Sequence, residues 1–116
     1  MHNFNKLDIW HKSINFTLDV YKITKTFPNY ELFGLVSQFR RASISIPANI
    51  SEGCGKNSDP DLKRFCSISM GSANECQTYI ILSKKLGYMT EEQADNLENK
   101  IIEIQKMLSK FILSLT

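Results

Sequence analysis

The sequence predicts an all-α protein, an antiparallel up-down-up-down four-helix bundle. Three observations carry this expectation. Apolar residues recur every three or four positions over long stretches, and no stretch alternates with the period of two that a half-buried strand requires. Glycine and proline are sparse, five and three in 116 residues, and Pro28, the Gly53/Gly55 pair and Gly87 divide the chain into four long segments. The connections between segments are only a few residues long, so consecutive helices must fold back on one another.

The first helix is expected from about residue 7 to residue 26, ending at Phe27-Pro28-Asn29. At roughly 100° per residue, Leu7, Trp10, Ile14, Leu18 and Tyr21 form one apolar stripe. Ile9, Phe16, Val20 and Ile23 form a second on nearly the opposite side. One bundle core cannot bury both stripes, so the second is expected to be a subunit interface.

The second helix is expected over 31–52. Leu32, Leu35, Val36, Phe39, Ser43, Ile46 and Ile50 share one arc, and Pro47 inside it should kink the helix by removing the hydrogen bond to the Ser43 carbonyl. The third is expected over 59–86, capped by Ser58 and with Pro60 and two aspartates in its first turn. Its buried face is broad and small-sided in the middle (Ser69, Ser72, Ala73, Cys76), which permits a close approach by a neighbour. The fourth is expected over 91–115, opened by Thr90-Glu91-Glu92-Gln93 with capping-box spacing. Ala94, Leu97, Ile101, Ile104, Leu108, Phe111 and Leu115 make a regular bundle seam. All 116 residues form one domain of ordinary composition, 42% hydrophobic and 22% charged.

Net charge is +2, too mild to announce nucleic-acid binding by itself. Residues 1–58 hold seven Lys/Arg against four Asp/Glu, and the remainder seven against eight, so the basic excess lies in the first half. Cys54, Cys66 and Cys76 are odd in number and have no metal-ligand spacing. They are expected to be reduced thiols packed as small apolar groups, without an intramolecular disulfide, in a cytoplasmic protein. Cys54, between two glycines, is the one open to exposure. The first residues do not read as a signal peptide. The longest apolar runs, such as Tyr79 to Leu82, are far short of the roughly 20 residues of a membrane span, so no membrane partner is expected.

Catalysis has little to stand on. The two histidines, His2 and His11, lie near the N-terminus and the wet face of the first helix, and neither a nucleophile elbow nor an H-E-x-x-H pair is present. Gly53-Cys54-Gly55-Lys56-Asn57-Ser58 lacks phosphate-loop spacing and follows a helix rather than a strand. A non-catalytic protein without a cofactor or metal is expected.

Gln38, Arg41, Ser45, Asn49 and Glu52 fall within an arc of about 80°, a polar ladder beside the apolar arc of the second helix. Two roles are open to it. In one, Arg41 pairs with Glu52 or Glu75 while Asn49 satisfies backbone freed by Pro47; in the other, the ladder lines a groove for a ligand or partner. The basic residues Arg40, Arg41, Lys56, Lys63 and Arg64 are candidate phosphate contacts.

Over nearly its whole length the chain resembles the four-helix-bundle family of proteins encoded by intervening sequences of 23S rRNA genes. The resemblance rests on Leu7…Trp10, Thr24-Lys25-Thr26-Phe27-Pro28 and Glu31-Leu32-Phe33-Gly34-Leu35. It continues in Gln38-Phe39-Arg40-Arg41-Ala42, Ser45 through Gly53 (SIPANISEG), Gly71-Ser72 with Glu75, and Leu86-Gly87-Tyr88. It departs from the family pattern at Ser43, commonly alanine, and at Cys76, commonly a larger aliphatic residue. The resemblance implies a homopentameric ring and kinship with the accessory variability proteins of diversity-generating retroelements. The partners to be expected are therefore further copies of the chain, and RNA, DNA or a nucleic-acid-processing protein. The alternative is a protein-interaction scaffold with no nucleic-acid role.

Overall fold

The computed structural model describes residues 2–115, and within them there are four α-helices and no strand. The helices are α1 (Asp8–Thr24), α2 (Leu35–Cys54), α3 (Asp59–Lys85) and α4 (Glu91–Ser114). Short 3-10 turns at Phe4–Lys6 and Asn29–Glu31 precede α1 and α2.

Local chemistry sets the helix ends. Ser58 Oγ accepts from the Asp61 N–H at 3.3 Å and caps α3. Thr90 and Gln93 cap α4 reciprocally, each side chain accepting from the other's backbone N–H at 3.1 and 3.0 Å. At the end of α3, Gly87 takes φ +82°, the Tyr88 N–H reaches the Ser83 carbonyl, and the Gly87 N–H reaches that of Lys84. This is the Schellman arrangement, which favours glycine at that position. The second helix starts four residues later than the pattern of apolar residues predicts. Residues 29–31 close a 3-10 turn instead, and Gly34, at φ −113° and ψ −111°, interrupts the path into α2.

Contacts between helices run in opposite sequence directions throughout. Thr17 meets Ser43 while Thr24 meets Arg40, and Ser45 meets Ser72 while Gly53 meets Leu62 and Phe65. Gln77 reaches Glu98 and Gln105, and Asp19 and Lys12 reach Lys100 and Glu103. Each helix is therefore antiparallel to its sequence neighbours, and α4 closes back on α1. The bundle measures 43 × 24 × 19 Å, its long axis matching the roughly 40 Å of a 27-residue helix.

Phe16, Val20, Phe39, Ile46, Ile50, Leu62, Ile80, Ile101, Ile104 and Leu108 form the centre of the core. This corrects the expectation for α1. Ile9, Phe16 and Val20, expected at a subunit interface, are buried within the chain itself, Phe16 at 1% and Val20 at 0% exposure, and Ile23 packs against the same core. Of the stripe expected inside, Leu7 and Trp10 are half-buried against the same core, Ile14 and Tyr21 are half-buried, and Leu18 is 63% exposed. The orientation follows from the flanks of the buried stripe. Lys12 and Asp19 form ion pairs with Glu103 and Lys100 of α4, while Thr17 and Thr24 bond to α2. The surface between those contacts must face inward.

All three cysteines are free and buried. Cys54 is the last residue of α2 and only 1% exposed, so its glycine neighbours do not open it to solvent. Burial raises the thiol pKa of all three, that of Cys66 from 9.0 to about 11 with Cys54 close enough to add to the shift.

Candidate binding cleft and basic surface

The polar ladder on α2 meets α3 at a cleft of about 410 Å³ lined by Gln38, Arg41, Ala42, Ser45, Ser72 and Glu75. Four residues singled out in the sequence therefore converge. Ser45 lies at the base. Its Oγ receives the Ser72 hydroxyl at 2.8 Å and the Asn49 side-chain amide at 2.9 Å, and that amide also donates to the Ser45 carbonyl at 2.8 Å. Asn49 thus holds Ser45 in place from one turn along the helix. Glu52, at the far end of the ladder, is exposed and does not line the cleft.

Arg41 and Glu75 stand on opposite walls, one from α2 and one from α3, and both are exposed. Among the described residues, Arg41 is within ion-pair distance of neither Glu52 nor Glu75. Glu75 accepts from the Tyr79 hydroxyl, at 3.4 Å. The backbone carbonyl that Pro47 leaves without its helical donor belongs to Ser43, and the Thr17 hydroxyl of α1 satisfies it at 2.9 Å. Asn49 does not have that role.

Ala42 and Ser72 also line the cleft, although the sequence offered neither as a site residue. Ser72 bears on the site through its hydroxyl. It read as one of the small side chains on the buried face of α3, and its contact with Ser45 spans 27 positions of sequence.

The five candidate phosphate contacts do not form one patch. Arg40 is drawn inward against α1: its Nε donates to Thr24 Oγ1 at 2.9 Å, and its guanidinium lies 4.7 Å from the centre of the Tyr21 ring. Arg41 belongs to the cleft. Lys56 and Arg64 lean on the Phe65 ring at 5.1 and 4.6 Å, where α2 turns into α3. Lys63, one residue before Arg64, projects about 100° away from it. Among the described residues, ion pairs join α1 to α4, α3 to the start of α4, and His2 to Asp59, and none includes Arg41, Lys56, Lys63 or Arg64.

No helix among the described residues is long and apolar enough to cross a membrane.

Comparison with known proteins places this arrangement. No match was found among curated proteins. A crystal structure of a protein of unknown function from the S23 ribosomal protein family of Bacteroides thetaiotaomicron is similar to the chain with a TM-score of 0.84 and 30% identity, covering 90% of this chain and 97% of that one. The family model for the 23S rRNA-intervening sequence protein matches residues 5–110, which takes in all of α1, α2 and α3, the cleft and most of α4. The chain belongs to the family of 23S rRNA-intervening sequence proteins.

Proposed function

We propose that the protein is a non-catalytic bundle that assembles with copies of itself and acts as an accessory protein for RNA. The observation that carries the RNA reading is the Lys56–Arg64 pair at the Phe65 ring, on the same α2–α3 seam as Arg41. None of the three has an acidic partner within ion-pair distance among the described residues. Unpaired guanidinium and ammonium groups are what a phosphate backbone neutralises.

A non-catalytic role is supported by the make-up of the cleft. The hydroxyls of Ser45 and Ser72 are engaged with each other and with the Asn49 amide, and neither hydrogen-bonds to a carboxylate or a histidine. The thiols are buried and held protonated.

Self-assembly is supported by the outward side of α1. Leu18, 63% exposed, with half-buried Ile14 one turn before it, follows Thr17, whose hydroxyl bonds to Ser43 beside Ile44, itself 44% exposed. A ring needs a second, different surface. Ile81 and Leu82, exposed on α3 diagonally across the bundle, supply one. Five copies is the number that the family resemblance implies.

A protein partner is the second reading, favoured by an exposed apolar corner before α2 where Tyr30, Leu32 and Phe33 stand, Phe33 at 93% exposure. Salt titration of binding to a fluorescent single-stranded RNA separates the two. The RNA reading expects affinity to fall steeply with salt, and the slope to drop by about one for each of Lys56→Ala and Arg64→Ala. No binding at micromolar protein, or binding indifferent to salt, contradicts it.

A further inference from the structure

We infer that the cleft between α2 and α3 takes one guanine base of an unpaired RNA strand. The inference rests on the RNA reading above and adds to it the base recognised and the residues that recognise it.

The two walls of the cleft offer complementary chemistry. Arg41 and Gln38 on α2 bring a guanidinium and an amide, and Glu75 on α3 brings a carboxylate. Since Arg41 and Glu75 line one cleft without pairing, the space between them suits a group that presents acceptors to one wall and donors to the other. Glu75 keeps most of its accepting capacity: among the described residues it accepts only from the Tyr79 hydroxyl, at 3.4 Å.

Guanine matches this division better than the other bases. Its O6 and N7 are adjacent acceptors, the pair to which arginine donates with both arms. Its N1–H and exocyclic N2 amine are adjacent donors that a carboxylate accepts together. Adenine and cytosine each offer one amine but no second donor beside it, and uracil offers a single N–H. In an unpaired strand these edges are free to be read. The volume, about 410 Å³, accommodates a purine ring with room to spare. The Ser45–Ser72 hydrogen bond closes the floor with hydroxyls rather than apolar groups.

The surroundings also fit a strand. Arg64 lies eleven residues before Glu75 on α3, about 16 Å along the helix axis, and Lys56 stands beside it at the Phe65 ring. A strand with its base in the cleft reaches these cations within a few nucleotides along the α2–α3 seam.

The test is fluorescence anisotropy with single-stranded oligouridine carrying one central guanosine, inosine or adenosine, read with the wild-type protein, Glu75→Gln and Arg41→Ala. Inosine keeps O6, N7 and N1–H and lacks only the N2 amine. The wild type is expected to bind the guanosine strand roughly fivefold or more tightly than either other strand, the discrimination of one good bidentate pair. Glu75→Gln should bring guanosine and inosine together, and Arg41→Ala should weaken the guanosine strand most. Equal affinity of the wild type for the three strands overturns the inference and leaves the RNA reading standing, as does a guanosine preference that survives Glu75→Gln. Failure to bind any strand overturns both. Circular dichroism of the two variants, whose changed side chains are exposed, establishes that the fold is retained.

Discussion

Thr17 and Pro47 form a pair that ties α1 to α2 at the level of single side chains. The proline cannot donate to the Ser43 carbonyl, and the Thr17 hydroxyl, shared with Ser13 of its own helix, donates there instead. Thr17→Val keeps the shape and removes the donor, leaving the carbonyl of fully buried Ser43 unsatisfied. It is expected to lower stability in urea melts by about 1–2 kcal/mol, and Thr17→Ser should restore most of the loss. The consequence of Pro47 for Ser43 was legible in the sequence. The identity of the rescuing group was not, because it sits 26 residues away and helical periodicity gives no register between helices. The cysteines make a second prediction at this scale. Folding raises the Cys66 pKa from 9.0 to about 11 by burial, with Cys54 contributing, so the fold favours the neutral thiol. The resulting stabilisation is fully present below pH 9 and is lost as pH rises towards 11. The alkaline fall in unfolding free energy should be smaller in Cys66→Ala by on the order of 2–3 kcal/mol, measured by urea melts at pH 8, 9, 10 and 11.

Among the elements, α3 and α4 begin where the sequence said they would, because Ser58, Thr90 and Gln93 act within three residues of themselves. The start of α2 was less legible, since Leu32 fits the apolar arc although Gly34 takes a backbone conformation outside the helix. The α2–α3 contact turns on glycine. A Cβ on Gly53 would stand 2.8 Å from Phe65 Cβ and 2.9 Å from Leu62 Cδ1, whereas one on Gly71 would meet nothing within 4 Å. Gly53→Ala is therefore expected to destabilise by roughly 1–3 kcal/mol. Gly71→Ala should stabilise by about 0.5–1 kcal/mol through helix propensity alone. Thermal melts of the two variants, moving in opposite directions, check the close approach. The cleft itself was half legible. The 3.6-residue period aligned Gln38, Arg41 and Ser45, but only the packing of α3 against α2 brought Ser72 and Glu75 opposite them.

For the molecule as a whole, the two stripes of α1 decide what is core and what is surface. Each is apolar at helical spacing, so periodicity could not rank them; the ion pairs to α4 and the threonine contacts to α2 do. Leu18 is left exposed, with half-buried Ile14 one turn before it, next to the Thr17–Ser43 contact that adjoins exposed Ile44, and exposed apolar side chains grouped in this way mark an interaction face. In this account that face is where copies of the chain meet. Its most direct test is the mass in solution of the wild type and of Leu18→Asp at micromolar concentration, by light scattering coupled to size exclusion, with helicity followed in parallel. The wild type should run at several times 13.3 kDa, and Leu18→Asp should fall to the single-chain mass with its helices intact, because a charge at that face opposes association without entering the core. A wild-type protein of single-chain mass, or a Leu18→Asp variant that keeps the assembled mass, would contradict the account.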